Sequence, residues 1–420
     1  MSFKFGTGRE IITPPFKTCL ACSQYYGKPY KEIHDDVYVK ALILNDGNTY
    51  ALIISYDLLF HDPSLNIALK EYAYEKYDVP KDNTIVCYTH THNSPSSKGY
   101  DSYNASIEYE DFLLSRGKSC IDRAFTNIFD GSIHYGVVEG NWNISRRLNV
   151  DGVVEMKPNL DGPRDNDIYF LEIRDKNGQT RSILLNYSCQ PVHYPAPTMS
   201  SAEYPGRLCQ LLEAKYYGST VIFTQGAGAN ARPRGTAKTG TWKSCSFEEI
   251  DDMASVMADN VERAICSNII EEIDLSLKGV VFKVKLPIEV QPKEYFEQMA
   301  ESDNIGPLHR KNAIYVAKNY DSIEENIDLI CGILKLSNDL CITHMGGEPV
   351  YEVKQLVEKA LEDKKIIFIG YTDAIAYIVD DRLLAEGGYE SDCFLEYALK
   401  GRFKPGIDRR IIEGYRRHSK

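Results

Sequence analysis

The sequence predicts an α/β fold, a mixed β-sheet core with flanking helices. Three observations carry this. Short apolar runs rich in β-formers alternate with stretches of helical spacing, tight-turn signals join neighbouring runs, and several runs exit straight into polar loops. The last pattern is that of open α/β sheets, where ligands gather beyond the strand ends.

Along the chain, Phe3 to Ile12 carries Gly6 and Gly8 and stops at Thr13-Pro14-Pro15. Val37 to Leu44 and Tyr50 to Ser55 read as strands joined by the hairpin signal Asn45-Asp46-Gly47. Ser64 to Tyr77 has helical spacing, and Ile85 to Tyr88 forms a buried strand that ends in Thr89-His90-Thr91-His92. Tyr109 to Phe129 reads as a helix, Ser132 to Val138 as a strand, and Gly140 to Arg147 as a Gly/Asn-rich loop. Ile168 to Arg174 and Ser182 to Tyr187 flank the Lys176-Asn177-Gly178 turn, followed by a helix over Arg207 to Lys215 and a strand over Thr220 to Phe223. Ser246 to Glu249 is a capping box that opens a helix to about Ser267. Beyond it come a strand over Val280 to Leu286, a mostly helical region over 291–340, a helix to about Leu361 and a strand over Ile366 to Ile369. The basic tail from Lys400 reads as a short docked surface element. There is no internal repeat or low-complexity linker, so residues 1–420 are expected to form a single domain, with a subdivision conceivable near 270.

Composition narrows the function classes. The 420 residues are 43% hydrophobic and 26% charged, with a net charge of −12, an ordinary globular balance. No Lys/Arg stripe forms, which argues against nucleic acid and anionic membrane as partners. No apolar run reaches the roughly 20 residues that span a bilayer, and the start lacks the apolar stretch of a secretory signal, so no membrane insertion and a cytoplasmic location are expected. The 11 cysteines sit mostly in apolar segments and read as reduced core thiols rather than a disulfide framework. Cys19-Leu-Ala-Cys22 is a lone CxxC with no second pair and a weak zinc or redox signal.

The chemistry-bearing residues cluster at strand ends. His90 and His92, two apart in an extended segment, point to the same side and suit a metal, or a metal with a general base beside it; two surface histidines at a turn are the plain alternative. Arg146 and Arg147 can grip a carboxylate or phosphate through planar forks, or form a solvated basic turn. Asp57 follows a strand directly, and Glu203 stands near the positive end of a helix. Thr224 to Arg234 is a small-residue loop that lets backbone amides approach a ligand, but it lacks the Gly-Lys-Ser/Thr ending of a phosphate loop.

Taken together, Thr89-His-Thr-His92, Ser145-Arg-Arg147 with Asp151-Gly152, Ser201 to Gly206, Gln225 to Pro233, Gly347-Glu348 and the tyrosines Tyr377 and Tyr389 resemble the neutral/alkaline (non-lysosomal) ceramidase family in its smaller bacterial branch. The resemblance covers most of the chain and implies the family's catalytic domain without its C-terminal β-sandwich domain. It also implies a zinc site: His90 matches the first histidine ligand, Glu348 the glutamate and Tyr377 the tyrosine, while Tyr389 matches a downstream active-site tyrosine. The family's second histidine falls on Gln190, a weak neutral ligand, with His193 three residues on as a substitute. The family's nucleophilic serine falls on Arg232, which stays protonated and binds charge rather than attacking carbon.

The favoured reading is therefore a hydrolase of a small, polar, anionic substrate, with an amide C–N bond favoured. Here a zinc-activated water would attack, His92 would move the proton, Arg146 and Arg232 would hold the negative group and Tyr389 would meet the oxyanion. Arg147, Asp57, Glu203 and Asn230 are expected to line the substrate site. Two alternatives stay open: a glycoside hydrolase using paired carboxylates among Asp57, Glu203 and Glu348, and a non-catalytic small-molecule-binding protein. A homo-oligomer is compatible with either.

Overall fold

The first strand, β1 (Phe3–Ile11), lies inside a large curled sheet, and the computed structural model describes residues 3–16, 18–21, 29–98, 106–195, 198–267, 269–373 and 375–419. β2 (Tyr38–Asn45) and β3 (Tyr50–Tyr56) form the expected hairpin, with Gly47 at a φ of 91°. Helix α1 (Pro63–Tyr77) crosses over to β4 (Thr84–Tyr88), which pairs with β3 in parallel. After α2 (Ile107–Thr126) comes β5 (Phe129–Val138), then a side hairpin of β6 (Asn143–Val150) and β7 (Val153–Asn159). β8 (Ile168–Asp175) and β9 (Thr180–Tyr187) are antiparallel; α3 (Glu203–Lys215) then crosses to β10 (Thr220–Gln225), parallel to β9. The sheet order is β10-β9-β8-β5-β1-β2-β3-β4. Lys40 Nζ and Ser55 Oγ donate to the Val221 and Phe223 carbonyls at 2.7 and 2.6 Å, so the sheet curls until β10 faces β2 and β3.

The short strand β11 (Ala231–Pro233) joins the side hairpin, and α4 (Phe247–Cys266) opens on the expected capping box at Ser246 and Glu249. A second sheet follows: β12 (Lys278–Pro287), β13 (Asn326–Lys335), β14 (Leu340–Met345) and β15 (Lys365–Ile369), with α5 (Lys293–Glu301) and α6 (Pro307–Lys318) between its first two strands. Helix α7 (Tyr351–Ala360) makes the crossover between the parallel strands β14 and β15.

The alternation of side chains along the strands sorts them into layers. Val39, Ala41 and Ile43 pack with Leu69 and Leu113 of α1 and α2, whereas Leu42 and Leu44 pack with Leu334, Ile342 and Ile367 of the second sheet. Helices α3 and α4 cover the other half of the large sheet, and α7 with the C-terminal helix (Ile407–His418) covers the outer face of the second sheet. The result is a four-layer arrangement with helices outside and two sheets inside. Both faces of β2 and β3 are covered, which is why these strands read as continuous apolar runs.

Two expectations are corrected here. Gly140 to Arg147 is not a free loop, because Asn143–Val150 is a strand whose polar residues find partners inside the protein. The region 291–340 is not helical throughout: Asn326–Lys335 is a central strand, with alternate residues Ile327, Leu329, Cys331 and Ile333 all buried. In addition, α2 stops at Thr126, and Phe129 already belongs to β5. The tail is docked through buried Ile411 and Tyr415. Among the described residues the cysteines are free thiols; Cys22 of the CxxC lies outside the described residues. No helix of the described residues is long and apolar enough to cross a membrane.

Candidate active site

Three parallel pairs, β3–β4, β9–β10 and β14–β15, send the chain into polar loops that meet. Backbone bonds lock the loops together: Tyr88 N–H donates to the Tyr371 carbonyl at 3.1 Å and Gly370 N–H to the Gln225 carbonyl at 2.9 Å. Between them lies a cavity of about 430 Å³, lined on one side by His90, His92, Arg146, Arg232 and Glu348. Tyr377, Tyr389, Glu396, Met156, Val192, Tyr194 and the segment from Gly306 into the start of α6 at His309 also line it. A cavity beyond the carboxyl ends of parallel strands is where this class of sheet places ligands.

His90 and His92 meet there, but not by strand alternation. β4 ends at Tyr88, and His90 adopts a φ of 62°, the left-handed region that few non-glycine residues occupy. The turn brings the two Nε2 atoms to 3.2 Å. His90 Nδ1 donates to the Leu59 carbonyl at 3.0 Å, which leaves its Nε2 facing the cavity, and the Tyr194 hydroxyl donates to His92 Nδ1 at 3.2 Å. Burial, then the His90 ring and the Arg146 and Arg232 charges, hold His92 well below the usual imidazole range, so it is neutral.

Gln190 lies at the centre of this group. Its Nε2 donates to Glu348 Oε2 at 2.5 Å and lies 3.3 Å from His90 Nε2, 3.4 Å from the Tyr371 hydroxyl and 3.5 Å from the Tyr377 hydroxyl. The other Glu348 oxygen accepts from Tyr397. Burial pushes the Glu348 carboxyl up, but His90, Tyr397 and Arg146 outweigh it and hold the group below its ordinary range.

The arginines have different surroundings. Arg146 donates through Nη1 to Gln190 Oε1 at 2.8 Å and through Nε to Glu390 at 2.7 Å. Arg147 donates to the second Glu390 oxygen at 2.6 Å and to the Gly387 carbonyl at 2.8 Å, so it orients Arg146 from behind. Arg146 is thus a paired cation, also stacked on the Tyr377 and Tyr389 rings. Arg232 forms no ion pair among the described residues: it donates to the Val192 carbonyl at 3.3 Å and lies 4.4 Å from the Trp242 ring centre and 5.7 Å from that of Tyr194. Only 9% of its surface is exposed. Burial, with a contribution from the Arg146 charge, pulls its guanidinium below its ordinary value, while Tyr194 acts the other way.

Glu396 was not singled out from the sequence. It lines the cavity with both oxygens 2.9 Å from the Tyr389 hydroxyl and one 3.5 Å from His309 Nε2. Burial, reinforced by the nearby Glu348 charge, raises it to about 7 against the opposing effects of Tyr389 and Arg146. Its segment, Cys393–Tyr397, is a short 3₁₀ turn with no periodicity to flag it. Tyr194, Tyr371 and Tyr397 were missed too, hidden among the chain's 29 tyrosines.

Four of the expected residues face elsewhere. His193 turns from the cavity to Glu203, with its N–H and ring Nδ1 at 2.9 and 3.2 Å from one Glu203 oxygen, so it does not substitute beside Gln190. Glu203 is therefore committed to shaping that turn. Asp57 accepts from the Tyr38 N–H at 3.0 Å, and Asn230 braces α7 through Glu352 and the Tyr351 N–H at 2.8 and 3.1 Å. None of the four lines the cavity, and neither does Arg147, which was expected in the substrate site but pairs with Glu390 and the Gly387 carbonyl behind Arg146.

A zinc ion does not fit this donor set as arranged. Gln190 offers an amide nitrogen, which has no lone pair to give, to the side chains that a metal would bind. Turning the amide would set its nitrogen against Arg146 and its oxygen against Glu348, two repulsive contacts. Among the described residues, no three His, Cys, Asp or Glu side chains group closely enough to hold a metal.

The fold is that of a neutral ceramidase-like domain. Solved structures that share this fold include the neutral ceramidase from Pseudomonas aeruginosa, with a TM-score of 0.76 and 13% identity, and a ceramidase complexed with C2, with a TM-score of 0.75 and 14% identity. Each alignment covers 99% of this chain and 74% of the other. No family model and no curated protein matches the sequence.

Proposed function

We propose that this protein is a hydrolase of a small anionic substrate and that the bond cleaved is an amide C–N bond. The observation that carries the reading is Arg232. A buried guanidinium without a carboxylate partner is costly, and one that opens on a cavity beside a second guanidinium calls for an anion there. The two ceramidase-fold relatives support hydrolysis as the reaction class.

The cavity wall carries no Ser, Thr, Cys or Lys side chain among the described residues, and its carboxylates Glu348 and Glu396 are engaged in hydrogen bonds, so we take water as the nucleophile. The substrate anion sits on Arg232 with Arg146 alongside. Neutral His92, whose basic Nδ1 faces the Tyr194 hydroxyl, takes a proton from water through that hydroxyl as the oxygen attacks the acyl carbon. It then returns the proton by the same route to the amine nitrogen as the C–N bond breaks, giving a carboxylate and an amine. Tyr389 and protonated Glu396 hold two acidic hydrogens between them; one bridges the pair and the other is free for the oxyanion. Arg147, Glu390 and Gln190 keep Arg146 in place.

The test is amine release from a panel of N-acyl amino acids. The wild-type protein is expected to hydrolyse members of the panel, and His92→Ala to lose activity by about 10²–10⁴-fold. No amine release from any member, with the protein folded, contradicts the reading.

A second reading has one observation in its favour: Glu348 and Glu396 share the cavity and are shifted in opposite directions, the arrangement of a glycosidase acid and its partner. Asp57 and Glu203 do not take part. Release of reducing sugar from anionic glycosides, abolished in both Glu348→Gln and Glu396→Gln, is the outcome this reading requires.

A further inference from the structure

We propose that the Gln190 amide takes the place of a metal ion, and that residue 190 makes this a site that holds its polar side chains together without one. The inference goes beyond the hydrolase reading and does not depend on the substrate.

A metal between His90, Glu348 and Tyr377 would draw three side chains toward one point and balance the buried carboxylate. The amide nitrogen does both. One atom lies within 3.5 Å of a donor atom of each of the three, and its shortest contact, 2.5 Å, is to the carboxylate. Its orientation is fixed from outside. Arg146 can only donate, so it holds Gln190 Oε1 and turns Nε2 inward, and Arg146 is itself held by Glu390, which Arg147 secures. Carboxylate, guanidinium, amide and carboxylate thus form an unbroken polarised row from Glu390 to Glu348. A divalent cation would displace the amide, break the Arg146 contact and sit beside the guanidinium that the row holds in place. Both Glu348 oxygens already accept hydrogen bonds, from Gln190 and Tyr397. An imidazole at position 190 would reverse the preference, since its ring nitrogen is a metal ligand that needs no inward hydrogen.

The test measures zinc, not activity. Purified full-length wild-type protein is dialysed against zinc chloride and analysed by elemental analysis and by competition with a chromogenic zinc chelator, beside Gln190→His and His90→Ala, with circular dichroism as the check on folding. The wild type is expected to retain no stoichiometric zinc, and Gln190→His to bind one equivalent about 100-fold or more tighter. One equivalent in the wild type, lost in His90→Ala, overturns the proposal. Folded Gln190→His that binds no more zinc than the wild type also overturns it, because residue 190 is then not the determinant. Should Gln190→His fail to fold, the wild-type measurement decides alone: zinc held through His90 sinks the proposal and its absence supports it.

Discussion

Glu396 faces Tyr389, His309, Glu348 and Arg146, and the balance of these with burial raises its carboxyl from the ordinary 4.5 to about 7. Between those values the folded protein binds a proton that the unfolded chain has released, so stability declines as pH rises from about 4.5 to about 7 and levels off above. Glu396→Gln is expected to flatten that part of the pH–stability curve in urea unfolding, although Asp57 and Asp373, each raised to about 6 by burial, keep a slope at its lower end. If protonated Glu396 serves the oxyanion, turnover falls as pH passes about 7, and the variant loses that limb. A limb unchanged in Glu396→Gln assigns it to another group. Some of these residues were legible in the sequence and others were not, for a physical reason. His90, Gln190 and Glu348 follow strands within a few residues, and strand exits are visible in sequence, whereas Arg232 lies within β11. Gln190, Arg232 and Glu348 were singled out by the family resemblance. The sequence spacing of His193 could not reveal its rotation toward Glu203, and Glu396 owes its environment to His309, Glu348 and Arg146, all distant in the chain, as well as to Tyr389 nearby.

At the scale of elements, β1 shows how closely a strand can lie on a helix. A Cβ at Gly8 would collide with the Cys120 carbonyl oxygen of α2, and one at Gly6 with that of Ala124. Gly8→Ala is expected to destabilise the protein by about 1–3 kcal/mol in urea denaturation, through backbone separation rather than a lost contact. A change within a few tenths of a kcal/mol would show that the strand and helix part freely. The elements misread from sequence have their own causes. β6 looked like a loop because Arg146 and Arg147 interrupt its β-formers, and only Glu390, some 240 residues on, makes them tolerable inside. In β13 the period-2 signal was present at Ile327, Leu329, Cys331 and Ile333, but it was overshadowed by the helical stretches before it.

For the whole molecule, the two sheets meet through one apolar layer, and the loops of both build the cavity. Leu334→Ala, at fully buried Leu334 between them, is expected to cost about 2–5 kcal/mol. Circular dichroism and the fluorescence of Trp142 and Trp242 should shift together; separate transitions would mean that the sheets unfold independently. The α/β class was legible because the crossovers alternate strand and helix, whereas the stacking of two sheets was not, since nothing local encodes which face Leu42 or Leu334 covers. The meeting of distant loops in one anion-binding cavity is the central claim, and the discriminating measurement compares kcat/KM for the best N-acyl amino acid and its uncharged methyl ester. The wild type should favour the free acid by about 10–100-fold, and Arg232→Gln should abolish that preference. Equal hydrolysis of acid and ester by the wild type would contradict the account.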